Sequence, residues 1–125
     1  MMEEGSARLN LTISSRTANP ETRVLTIQGE IDVYTSAQLK ETVVSTIAEG
    51  VKYIVMNLSQ VEYLDSTGLG VLIGSLKHLK ERQGNLILVS PSMRITRIFE
   101  ITGLYKIFTI YQSEEEASIK EGVAL

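Results

Sequence analysis

The run Val51-Lys52-Tyr53-Ile54-Val55-Met56-Asn57-Leu58 is almost continuously apolar. Successive side chains of a strand point to opposite faces, so a strand wetted on one side alternates polar and apolar residues. A short run without that alternation specifies a central strand covered on both faces, the situation of a parallel sheet flanked by helices. Leu86 to Val89 reads as another such strand. Between them Leu69, Leu72, Ile73, Leu76 and Leu79 fall at helical spacing, which predicts a helix from about Ser66 to Arg82 that Gly84 can end.

The flanking segments complete an α/β pattern. Leu9, Leu11 and Ile13 alternate with Asn10, Thr12 and Ser14, and the alternation returns over Val24 to Gln28. With Asn19-Pro20 between them, these predict an antiparallel hairpin with a loose loop. Thr35 and Gln38 have the spacing of a capping box, with Tyr34 and Leu39 placed as a hydrophobic staple. Leu39, Val43 and Ile47 then share one helical face, and Gly50 is the stop. Ser90-Pro91 predicts an N-cap and first helical residue for a helix running through Ile95, Ile98 and Phe99 to Gly103. Lys106 to Tyr111 reads as a last strand, and Ser113-Glu114-Glu115-Glu116 as a capping box opening a terminal helix. The expected fold is α/β: a mixed β-sheet with an N-terminal antiparallel hairpin, then strand–helix alternation, with about four helices.

A chain of 125 residues is long enough for one domain with its own core. Residues 1–8 are expected to be a flexible N-terminus and residues 9–125 the domain. Cysteine is absent, which excludes disulfides, a thiol nucleophile and thiolate metal sites. The acidic start Met1-Met2-Glu3-Glu4-Gly5 lacks the apolar stretch of a secretory signal, and no apolar run reaches the ~20 residues of a membrane helix. Net charge is −3, with no concentrated basic run, which argues against nucleic acid as a partner. The expectation is a cytoplasmic module without cofactor, metal, membrane or nucleic-acid partner.

Chemistry concentrates where the central strand hands over to the helix, in Leu64-Asp65-Ser66-Thr67-Gly68-Leu69-Gly70. A helix N-terminus offers unpaired N–H groups and partial positive charge, so it favours an oxyanion. Asp32 and Asp65 are the only two aspartates, against thirteen glutamates, and both follow predicted strands at the carboxyl edge where α/β sheets place their sites. Either can also serve simply as a turn or cap.

Ser66 admits several readings. It is a preferred N-cap residue. As a nucleophile it needs a base, and the only histidine, His78, lies twelve residues further along the same helix, roughly 18 Å away. His78 is expected as a solvated helix residue. A dinucleotide fingerprint fails because Ile73 stands where a third glycine belongs, and there is no P-loop. The remaining reading is a phosphorylatable hydroxyl, Ser66 or its neighbour Thr67. Ser66, Gly70 and Gly74 lie at i, i+4 and i+8. Two interior glycines weaken a helix by about 2 kcal/mol relative to alanine. They mark either close packing on the sheet or a shallow outward groove for a partner. Arg94 and Arg97, three apart on the following helix, could supplement docking or simply be solvated.

Gly29-Glu30-Ile31-Asp32, Tyr34-Thr35-Ser36 and Leu64-Asp65-Ser66-Thr67-Gly68-Leu69-Gly70, in this order and spacing, resemble the bacterial anti-sigma-factor antagonists of the STAS domain family. The likeness covers almost the whole chain from about Leu9. Ser36-Ala37 departs from the Ala-Pro of many relatives, at a cap only. The resemblance implies a mixed sheet with helices mainly on one side, and a binding protein rather than an enzyme. It further implies that an anti-sigma factor with serine kinase activity phosphorylates Ser66, that a metal-dependent serine phosphatase reverses this, and that the unmodified form binds the anti-sigma factor and frees the sigma factor. The docking residues expected on this basis are Glu30, Asp32, Tyr34, Thr35, Asp65, Thr67, Gly68, Leu69, Gly70 and Gly74. The alternative is a STAS-type ligand-sensing or scaffold module that binds a small nucleotide or lipid.

Overall fold

The computed structural model describes residues 11–125; the expected strand start at Leu9 and the flexible segment 1–8 lie outside the described residues. The chain runs β1 (Leu11–Asn19), β2 (Thr22–Ile31), α1 (Ser36–Ala48), β3 (Tyr53–Leu64), α2 (Ser66–Lys80), β4 (Asn85–Val89), α3 (Met93–Thr102), a 3₁₀ turn (Leu104–Lys106), β5 (Ile110–Tyr111) and α4 (Glu114–Glu121). The sheet order is β1-β2-β3-β4-β5, antiparallel between β1 and β2 and parallel thereafter.

The apolar run in β3 is explained by its surroundings. Ile54, Met56 and Leu58 join Leu25 and Ile27 of β2 and Leu86 and Leu88 of β4 in the main core. Leu39, Val43 and Ile47 of α1, Leu69, Leu72, Leu76 and Leu79 of α2, and Ile95 and Phe99 of α3 close that core from one face. Val55 points the other way, into a smaller cluster with Val24, Ile87, Val89 and Ala117 of α4. Each face of the central strand therefore removes apolar surface from water. Phe99 meets Phe108 edge to face, with ring centroids 5.5 Å apart. The acidic first turn of α4 is tied down by Glu114, which accepts from Arg16 Nη2 at 2.7 Å and Asn57 Nδ2 at 2.8 Å.

Several local expectations need correction. The hairpin loop is tight: only Pro20 and Glu21 separate β1 from β2, and Asn19 Oδ1 accepts from the Glu21 N–H at 2.9 Å. β3 continues to Leu64 because register shifts re-aim its second half, which the hydropathy pattern alone hides. The Thr35/Gln38 box does not form, since Gln38 reaches across to the Leu11 carbonyl. The staple is also absent: Leu39 is buried, whereas Tyr34 is 89% exposed. The cap of α3 is Ser92, accepting from the Ile95 N–H, and not Ser90-Pro91. Ser90 instead extends the sheet, its N–H donating to the Tyr111 carbonyl. The expected strand from Lys106 shrinks to Ile110–Tyr111, preceded by the 3₁₀ turn. After α2 the left-handed residue is Gln83, with φ +60°. Gly84 is required for a different reason: a Cβ there stands 1.8 Å from the Lys52 carbonyl oxygen. The box at Ser113 forms in modified shape. Its hydroxyl accepts from Glu116 N–H, while the Glu116 carboxylate accepts from Gln112 N–H.

Candidate functional site

β2 and β3 are parallel and end together, with Ile31 paired to Leu64. Asp32 and Asp65 therefore leave the sheet side by side, and the Asp65 N–H donates to the Ile31 carbonyl at 3.2 Å. The two aspartates, 33 positions apart in the sequence, become one edge.

Each organises the start of a helix. The Asp32 carboxylate accepts from the Tyr34 and Thr35 N–H groups at 2.8 and 3.0 Å, and its carbonyl accepts from the Thr35 and Ser36 N–H groups. The Thr35 hydroxyl donates to the Glu30 carbonyl at 2.7 Å and accepts from the Asp32 N–H at 2.9 Å. Thr35 is buried by this work, so it fixes the loop and is not presented to solvent. Asp65 is the N-cap of α2: its Oδ1 accepts from the Gly68 N–H at 3.0 Å, and its carbonyl from the Leu69 N–H at 2.9 Å.

Because Asp65 takes the cap, Ser66 is the first residue of α2 and its side chain is exposed. The N-cap reading of Ser66 is thereby replaced. Ser66 and Thr67 supply N–H groups in the first turn, where a helix has no internal acceptor for them. Gly68 is buried, and a Cβ there stands 2.6 Å from both Ile31 Cγ2 and Leu64 Cδ1. That contact seats the helix start against the two strand ends. Leu69 belongs to the core, so its part is internal packing.

Gly70 and Gly74 differ from Gly68. Both are exposed, and a Cβ at either meets nothing within 4 Å. They border a groove of about 310 Å³ between α1 and α2, walled by Val43, Val44 and Val71, with Thr67 and Lys40 among its lining. His78 lines the groove too and is half-buried rather than freely solvated.

Sequence reasoning missed part of this surface. Val33 and Tyr63 are 61% and 51% exposed and flank the edge together with Tyr34. Glu30 pairs with Tyr63 in the β2–β3 ladder, next to the strand ends. Arg94 Nη1 donates to the Glu62 carbonyl at 3.2 Å, bringing the start of α3 with exposed Met93 to the same end of the sheet. An outward Tyr63 is visible only once the bulges in β3 are known. Among the described residues no helix is long and apolar enough to cross a membrane.

A STAS domain family model matches residues 14–117. The anti-sigma-B factor antagonist of Listeria monocytogenes is 39% identical over 109 residues, covering 86% of this chain and 95% of that one. That of Staphylococcus aureus is 38% identical over 107 residues, covering 86% and 98%. The chain belongs to the STAS-domain anti-sigma-factor antagonists. Solved structures carry the same fold. An anti-sigma factor antagonist from Mycobacterium paratuberculosis superposes with a TM-score of 0.76 at 28% identity, over 88% of this STAS chain and 92% of that one. The Bacillus cell fate determinant SpoIIAA in its phosphorylated form gives 0.67 at 26% identity, over 86% and 97%.

Proposed function

We propose that this STAS antagonist is a partner switch gated by phosphorylation of Ser66. The unmodified chain binds an anti-sigma factor that is itself a serine kinase, and the sigma factor is released. Transfer of a phosphoryl group to the Ser66 hydroxyl ends that binding, and a metal-dependent serine phosphatase restores it. The chain is substrate and binding partner in this cycle and performs no chemistry of its own. The observation that carries the reading is the division of labour at the start of α2. Asp65 holds the cap, which leaves the Ser66 hydroxyl exposed and free to be modified.

The electrostatics separate folding from binding. A phosphoserine adds about −1.5 to −2 charges at pH 7. At the first turn of α2 the helix dipole and unpaired N–H groups accept that charge, so the free fold is barely disturbed. In a complex the same dianion is desolvated beside Asp65 and Asp32. A penalty of ~4 kcal/mol there weakens binding about a thousandfold. The exposed Val33, Tyr34 and Tyr63 supply apolar and aromatic contact area around the hydroxyl, as protein interfaces commonly do.

Titration of the cognate anti-sigma factor with Ser66→Ala and Ser66→Asp tests this. The alanine variant is expected to bind like the unmodified chain and the aspartate variant poorly; equal affinities remove Ser66 from the mechanism. Phosphopeptide mapping after incubation with the kinase distinguishes Ser66 from Thr67.

A further inference from the structure

Among the described residues, nothing packs closely enough on Gly70 or Gly74 to require a glycine there. Neither has a positive φ, and neither packs against anything that a methyl group would strike. Each nevertheless weakens the interior of α2 relative to alanine. Gly68 sits in the same helix and is fully accounted for by its contact with Ile31 and Leu64. What the two outer glycines accomplish is the groove, which runs from Thr67 beside the proposed phosphorylation site toward His78. Its walls are aliphatic. Among the described residues its only ionisable lining is Lys40 and His78, with no carboxylate bordering it, although the chain as a whole carries −3.

We propose that this groove receives a short helical segment of the anti-sigma factor, with a small apolar side chain against Gly70 and Gly74 and a carboxylate against Lys40. The inference rests on the partner-switch reading and extends it from the Ser66 edge along α2. Two glycines one turn apart bare about 6 Å of helix surface in a line, which suits the close crossing of a second helix. Valine walls favour an apolar contact, and the lone basic character of the lining selects an acidic neighbour. Because Thr67 ends the groove next to Ser66, a segment seated there lies against the hydroxyl that phosphorylation would charge.

The test uses the full chain and its cognate anti-sigma factor, with thermal unfolding and titration calorimetry on each variant. Gly70→Ala and Gly74→Ala should each raise Tm by about 3–6 °C, because helix propensity improves and no clash is created. Gly74→Leu fills the groove and should weaken binding about thirtyfold or more while the chain stays folded. Lys40→Glu should weaken it about five- to tenfold and flatten its salt dependence. Unchanged affinity in folded Gly74→Leu overturns the proposal, as does a fall of Tm in the alanine variants, since the glycines would then belong to the fold. Thermal stabilisation of the parent chain, but not of Gly74→Leu, by octanoate or a nucleotide assigns the groove to a free ligand and also overturns it. So does a dimer of this chain that Gly74→Leu abolishes. Ser66→Ala and Ser66→Asp run in parallel. If those two bind alike while Gly74→Leu fails, the switch falls and the groove stands. If those two differ while Gly74→Leu binds normally, the groove falls and the switch stands. A parent chain that binds no anti-sigma factor overturns both.

Discussion

Gly68→Ala is the perturbation whose effect follows most directly from the geometry of the site. The added methyl carbon stands 2.6 Å from Ile31 Cγ2, 2.6 Å from Leu64 Cδ1 and 3.3 Å from Ile31 Cβ. Carbon atoms in good contact stay about 3.5–4.0 Å apart, so roughly 1 Å of separation has to be found. The Leu64 methyl can rotate away. Ile31 is β-branched, with a stiff first torsion, and it is fully buried, so its methyl cannot yield without moving strand or helix. Overpacking costs about 1–3 kcal/mol in general and about 1.5–3 kcal/mol where two contacts stand at 2.6 Å, and alanine returns about 1 kcal/mol through helix propensity. The net expectation is a loss of about 0.5–2 kcal/mol. With a urea m-value of roughly 1.5 kcal/mol/M, the unfolding midpoint falls by about 0.3–1.3 M. Gly70→Ala, two residues away, should move it in the opposite direction. A Gly68→Ala midpoint equal to or above that of the parent chain would refute the claim that this glycine seats α2 on the ends of β2 and β3.

Other perturbations separate the roles of neighbouring groups. Asp65→Ala removes the cap of α2 and should lower stability by about 1 kcal/mol in urea unfolding, whereas Asp65→Asn should retain most of it. Tyr111 donates to the Glu121 carboxylate, which together with burial and the charges of Glu121 and Glu116 pushes its phenol from 10.0 up to about 12. The folded chain thus favours the protonated phenol, so its contribution is complete below pH 10 and disappears as pH rises toward 12. Solvent screening limits that contribution to about 1 kcal/mol. Tyr111→Phe should lose it and flatten the alkaline slope in unfolding measured from pH 9 to 12. Gly84→Ala should be far more damaging, by about 3 kcal/mol or more, because its methyl would overlap the Lys52 carbonyl that also accepts from the Asn85 N–H.

The parts of the fold that were legible in the sequence are those governed by burial. The Val51–Leu58 run specified a doubly covered strand, and the leucines after Ser66 specified the sheet-facing side of α2. The juxtaposition of Asp32 with Asp65 was only suggested by their positions after strands, because parallel pairing joins residues distant in the chain. Local polar signals were less secure. Thr35 looks like a capping-box residue, but the loop after β2 turns back so that its hydroxyl donates to the Glu30 carbonyl and accepts from the Asp32 N–H instead. Serine at 66 looks like a cap, yet aspartate at 65 competes for the same N–H groups and holds that of Gly68. Which short polar residue caps a helix depends on where the strand before it ends, and two bulges in the β2–β3 ladder put that information beyond hydropathy. The three glycines of α2 look equivalent as letters. Only the space around each separates the buried contact at Gly68 from the open groove at Gly70 and Gly74.

The proposed switch depends on charge at a single hydroxyl. The most direct measurement compares the anti-sigma factor affinity of the unmodified chain with that of a chain phosphorylated stoichiometrically on Ser66, with the unfolding temperature of each recorded alongside. Binding about a thousandfold weaker, at nearly unchanged unfolding temperature, is the expected result. Equal affinities, or a loss of binding that merely tracks a collapse of the fold, would contradict it.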